Sequence, residues 1–149
     1  MEDKKKNPAI KKTMARLALV QYLYSCYLSD LKLSSLEATK FLNLYFDKDI
    51  NIKDLKPCSK HFSKVFSYMQ LFKEQAEEKL DSILMQRSFE NNDPLIKSIL
   101  VTAAVEKIGD EKLPPKVLLN EYTNIASSLY DKDHVGFINA ALNDFVGRE

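Results

Sequence analysis

The chain predicts an all-α fold, and three observations point to it. Apolar residues recur at three- and four-residue steps through nearly every segment between turn signals. The composition is poor in sheet and loop formers: among 149 residues there are 3 Gly, 5 Pro and no Trp, while Leu, Lys, Ala and Glu are abundant. Helix-capping residues and prolines stand where those periodic segments begin. The length suits one domain, which at this size buries about two thirds of its extended-chain surface. The apolar fraction of 45% is that of an ordinary globular protein.

Asn7-Pro8 is the first cap-and-proline pair, so the first helix is expected from Pro8 to about Ser29. Ile10, Met14, Leu17, Gln21, Tyr24 and Leu28 make its expected buried stripe. Residues 1–7 read as a basic flexible tail ahead of a domain spanning 8–149. Ser34 opens a second helix, with Glu37 three residues on to complete a capping box. Asp47 to Pro57 reads as a polar connection; Ile50 and Ile52 alternate there but have no partner strand. From Ser59 to about Ser88 the helical period continues through Phe62, Val65, Phe66, Met69, Ala76, Leu80 and Ile83, as one helix or as two with a kink near Phe72. A turn follows over Phe89–Asn92. Asp93-Pro94 then repeats the cap-then-proline start of a helix that is apolar on most sides and stops at Gly109, read as the residue just past its end.

Pro114 to Phe145 reads as two short helices joined by the charged turn Tyr130-Asp131-Lys132-Asp133-His134. Val117, Leu118, Tyr122, Ile125, Ala126 and Leu129 line the first, and Val135, Ile138, Ala141, Leu142 and Phe145 the second. Asp131 or Asp133 is placed to cap the second. Asn120 and Asn139 are poor interior helix formers, because a short amide competes for backbone bonds. They either bridge the two helices or face a ligand, and the bridge is the plainer reading.

Charge and chemistry narrow the function. Twenty-two Lys+Arg stand against 21 Asp+Glu, so the bulk charge does not announce a nucleic-acid binder. Yet Lys4, Lys5, Lys6, Lys11, Lys12 and Arg16 all fall at the start, against Glu2 and Asp3 alone. Cations followed by aromatics on one helix can hold phosphates and stack bases, although periodicity by itself favours a solvated N-terminal turn together with ordinary core aromatics. No metal is expected: Cys58-x-x-His61 is half of a zinc spacing, and Cys26 and His134 do not form a second pair. With no Gly-rich phosphate loop, and with Glu77 and Glu78 diverging on a helix, neither a cofactor nor an enzyme is expected. The two cysteines in apolar settings, and the lack of any apolar run of membrane-spanning length, predict a soluble cytoplasmic protein.

The pattern Pro114-x-Lys116-Val117-x-x-Asn120-Glu121-x-x-x-Ile125-Ala126, followed by Asp133-x-x-x-Phe137-x-Asn139, resembles the C-terminal signature of the NusB family of transcription antitermination factors. The start is similar as well: Lys11, Lys12, Ala15, Arg16, Gln21, Leu23 and Tyr24 match an Arg-rich stretch followed by A-R and a Q-x-L-Y block. The resemblance implies a NusB-like bundle of about six to seven helices in two packed three-helix halves. It further implies binding of boxA-type single-stranded RNA as a heterodimer with ribosomal protein S10 (NusE), within an RNA polymerase antitermination complex that supports ribosomal RNA operons. On the same resemblance, Lys11, Lys12, Arg16, Gln21, Asp133 and Phe137 are the expected RNA-binding residues, on a face shared by the first helix and the terminal pair. Tyr24, Ile96 and Leu100 lie where S10 would dock.

The departures are specific. Lys11, Lys12, Thr13 and Met14 occupy positions of several family arginines, and lysine keeps the charge but not the planar fork. Ile96-Lys97-Ser98-Ile99-Leu100-Val101 replaces the D-R-x-I-L-R of the partner-facing helix. Two rival readings are a helical protein–protein adaptor without an RNA role, and the RNA-guiding domain at the front of a ribosomal-RNA cytosine methyltransferase. The apolar helix faces would serve a homodimer as well as a heterodimer.

Overall fold

A computed structural model describes residues 3–47, 56–84 and 88–147, with side chains from residue 8 onward. Among the described residues there are six α-helices and one 3-10 turn and no strand: α1 (Asp3–Ser29), α2 (Ser35–Leu44), α3 (Ser59–Ile83), the turn Phe89–Asn91, α4 (Pro94–Gly109), α5 (Pro115–Leu129) and α6 (Lys132–Gly147). Ile50 and Ile52, and the side chains of Lys4 to Lys6, lie outside the described residues. Among those described, no helix is long and apolar enough to cross a membrane. The chain divides into two compact units, Met1–Ser67 and Tyr68–Glu149. The division falls within α3, a single continuous helix of 25 residues that runs unbroken past Phe72.

In the first unit, α1 starts at Asp3 instead of Pro8, which lies inside the helix. Pro8 is the sixth residue of α1, past the first-turn positions that have no acceptor, so it removes one helical bond, the one to the Lys4 carbonyl. The buried face of α1 also differs from the expected stripe. Ala15, Ala18, Leu19, Tyr22, Leu23 and Cys26 are buried, whereas Ile10 and Leu28 are 39% and 59% exposed. The buried face mixes the small Ala15, Ala18 and Cys26 with the large Leu19, Tyr22 and Leu23, and the small members give the sequence no apolar signal that would fix its direction. α1 ends at Asp30, whose φ of 52° is left-handed, and Leu31 N–H donates to the Cys26 carbonyl (2.9 Å) across that end.

Ser34 caps α2 as expected, its hydroxyl accepting from Glu37 N–H (3.2 Å). The reciprocal half of the box is made by a different residue. Ser34 N–H donates to the Tyr22 hydroxyl (2.9 Å), which in turn donates to the Ser34 carbonyl (3.2 Å). The Tyr22 ring packs edge-on against Phe41 and Phe66, both at 6.0 Å. Burial, partly offset by the Ser34 backbone bond, pushes its phenol up to about 12.

In the second unit α4 is the centre, buried from Ile96 to Lys107. Asp93 caps it through Leu95 N–H (2.9 Å). Its polar residues are engaged where they stand. Glu106 accepts from the Tyr122 hydroxyl (2.6 Å), and the Lys107 ammonium donates to the carbonyls of Glu111 and Leu113 (both 3.1 Å). Lys97 lies 3.6 Å from Glu90 and over the Phe89 ring. Gly109 is the last residue of α4, not the one beyond it, and has no positive φ. A Cβ there would overlap the Tyr68 ring, so close approach accounts for the glycine. α5 and α6 pack together and against α4 through Leu118, Tyr122, Ile125 and Ala126 on one side and Ile138, Ala141, Leu142 and Phe145 on the other.

Candidate nucleic-acid interface

The cationic stretch of α1 separates into two environments. Lys11 and Lys12 are exposed, whereas Arg16, one turn later, is 5% exposed and engaged within the protein. The four-residue step from Lys12 to Arg16 therefore runs from the wet side to a covered one. An Arg at that depth is held by its own fold, because an unpaired buried charge is too costly. Gln21 and Tyr24 are half-buried further along. The Lys11 carbonyl accepts from Cys58 N–H (2.9 Å), which ties the approach to α3 onto this part of α1. Cys58 itself acts as a weak cap: its sulfur accepts from His61 N–H (3.4 Å).

The terminal pair presents a different surface. Of the two candidate caps, Asp131 opens α6: it accepts from His134 N–H (3.2 Å) and lies 2.7 Å from His134 Nδ1. The His134 side chain is the main reason its carboxyl sits below the usual range. The Tyr130 ring stacks on His134 with centroids 4.8 Å apart, and its hydroxyl donates to Asp93 (2.9 Å). Asp133 is exposed and Phe137 half-buried in the opening turns of α6. The sequence-predicted partner residues Ile96 and Leu100 are 6% and 0% exposed, so their side chains belong to this chain's own core and offer no surface to a partner. Tyr24 keeps part of its surface.

Between α5 and α6 lies an open cleft of about 440 Å³ that the sequence reading missed. Asn120, Thr123, Asn124 and Ser127 line it from α5, and Gly136 and Asn139 from α6, with Tyr130 and Lys132 also on its wall. The expected bridge between the helices exists but is made by another residue: Thr123 donates to Asn139 (3.1 Å), and Asn120 stays exposed. A polar stripe at 120, 123, 124 and 127, running beside the apolar one at helical spacing, was the legible signal. A glycine inside a helix was the other.

Comparison with known proteins agrees with this architecture. The family model described as "NusB family" matches residues 13–146. The chain is 29% identical to the transcription antitermination protein NusB of Rickettsia massiliae, covering 96% of this chain and 95% of that one. It is 30% identical to the protein of the same name from Rickettsia typhi (92% of each), and 29% identical to that from Caulobacter vibrioides (93% of each). Among solved structures, T. maritima NusB superposes with a TM-score of 0.68 at 16% identity, over 90% of this chain and 89% of that one, a likeness of fold. With a family model covering all but the two ends, and relatives matched over nearly their whole length, the chain belongs to the NusB family.

Proposed function

We propose that this protein is a non-catalytic, RNA-binding transcription antitermination factor that binds boxA-type RNA as a heterodimer with ribosomal protein S10, inside an RNA polymerase complex acting on ribosomal RNA operons. The family match over residues 13–146 is the observation that carries this reading. The charge distribution supports it. A chain with a formal net charge of +1 has little general attraction for RNA, but the exposed Lys11-Lys12 pair offers a local site for phosphates. Such a patch binds weakly alone, and a partner that extends it raises affinity. Tyr24, Gln21, Asp133 and Phe137 keep exposed surface for partner or RNA. Arg16 is assigned to supporting α1 from beneath, and Ile96 and Leu100 to the core of the second unit.

The test is the salt dependence of boxA-type RNA binding by the complex with S10. K11E/K12E should weaken binding by about ten- to a hundredfold and flatten the slope of log affinity against log salt, because two phosphate contacts are lost. These exposed positions allow charge reversal without disturbing the core, which Arg16 would not. Equal affinity and equal slope for the variant would remove α1 from the RNA surface.

A further inference from the structure

We infer that the cleft between α5 and α6 is a nucleotide subsite, holding one unstacked base by its polar edge with the attached phosphate near Lys132. The inference rests on the RNA-binding reading above and adds to it a place where sequence is read.

Three features of the cleft carry it. The first is its glycine. Gly136 lies in the body of α6, where glycine costs about 1 kcal/mol relative to alanine. Neither of the usual reasons for a helical glycine applies: its φ is not positive, and a Cβ there would meet nothing within 4 Å. What the missing side chain does provide is room, since Gly136 forms part of the cleft wall. The second is the lining. Three carboxamides, Asn120, Asn124 and Asn139, face the space together with Thr123 and Ser127. Each amide offers both a donor and an acceptor, the complement of a nucleobase edge. Thr123 occupies the Asn139 oxygen and leaves that amide nitrogen to donate. Among the described residues that line the cleft there is no carboxylate and one cation, Lys132, which gives a phosphate a local partner beside the flanking Asp131 and Asp133. The third is the aromatic. Tyr130 is fixed by the His134 stack and by its bond to Asp93, so the ring that lines the cleft is a preorganised surface for a base. At about 440 Å³ the space falls within the ~300–1,000 Å³ of small-molecule sites.

Affinities of short single-stranded RNAs for the full chain in complex with S10, measured by fluorescence anisotropy with each base varied in turn, test the subsite. Gly136→Leu fills the cleft from a helix position that tolerates leucine. It should weaken the preferred oligonucleotide about tenfold, the size of one lost base contact, with the salt slope unchanged. Asn124→Ala, at an exposed position with no packing role, should do the same and covers the case in which Gly136→Leu folds poorly. K11E/K12E changes the slope instead, so loss of that effect counts against the RNA reading and not against the cleft. If both cleft variants bind and discriminate like the unmodified protein, the subsite is overturned. If the unmodified complex binds no RNA, the reading it rests on fails; titration with the four nucleoside monophosphates, watching the Asn120, Asn124 and Asn139 side-chain amides by NMR, then decides. Movement of those signals shows a site for free nucleotides, and their immobility overturns the subsite.

Discussion

The corner between α1 and α2 and the corner between α4 and α5 are each closed by one buried side chain that binds loop backbone, but with opposite kinds of group. Tyr22 serves both the N–H and the carbonyl of Ser34 through a neutral hydroxyl. Lys107 serves two carbonyls, of Glu111 and Leu113, through an ammonium that can only donate. The backbone at each corner explains the choice. Ser34 is a helix cap whose own N–H lacks an intrahelical acceptor, so a group that can accept is needed, and the hydroxyl proton goes to the Ser34 carbonyl beside its bond from Ala38 N–H. The second loop runs into Pro114-Pro115, which bring carbonyls without N–H groups, and a pure donor restores the balance. Lys107 also holds the entry to α5, which carries the amide stripe of the cleft.

If that account holds, Lys107→Met has the largest effect. Losing charge-assisted bonds to two carbonyls should cost about 2–3 kcal/mol in urea unfolding of the full chain. No loss would mean that solvent satisfies those carbonyls unaided. Tyr22→Phe keeps the ring packing and removes only the hydroxyl, so about 1 kcal/mol is expected from the stranded Ser34 N–H, the Ser34 carbonyl keeping its bond from Ala38 N–H; an equal loss on adding Ser34→Ala to Tyr22→Phe as in wild type would show that the hydroxyl and the cap act independently.

Alkali sharpens the contrast further. Burial raises the phenols of Tyr22 and Tyr45, both in the first unit, from an ordinary 10.0 to about 12. Above pH 10 the unfolded chain releases these protons while the folded chain still holds them. Stability is therefore full below pH 10 and lost progressively as pH rises toward 12. The urea midpoint should fall over that interval, and Tyr45→Phe should flatten the fall; a profile unchanged by the substitution would contradict the assignment. The smallest expected change is a gain. Asp30→Gly relieves a left-handed residue at the end of α1 and should add roughly 1 kcal/mol, read as a rise in melting temperature. A decrease would show that the Asp30 side chain holds the corner in another way.

Local signals were strong enough to place the helices. Ser34, Asp93 and Pro115 mark helix starts because an orphan N–H or a fixed φ is a property of a few neighbouring residues. The all-round apolar character of Pro94–Gly109 announced a central helix for the same reason, since burial on every side shows in composition. The face of α1 was not legible in this way. Ala15 and Ala18 look neutral in a sequence, and only a neighbouring helix makes them the contact surface. Nor was the second half of the Ser34 box, because Tyr22 reaches Ser34 through space across 12 residues.

Taken alone, the order of residues determined that this chain is helical, where most helices begin, and which family's signatures it carries, since all three depend on short-range spacing. The tertiary structure decided which cations stay in water, that Ile96 and Leu100 are spent in the core, why Gly109 has no side chain, and that four polar residues of α5 open onto a cleft. Those properties depend on what lies opposite each residue, and a linear pattern does not contain its own opposite face.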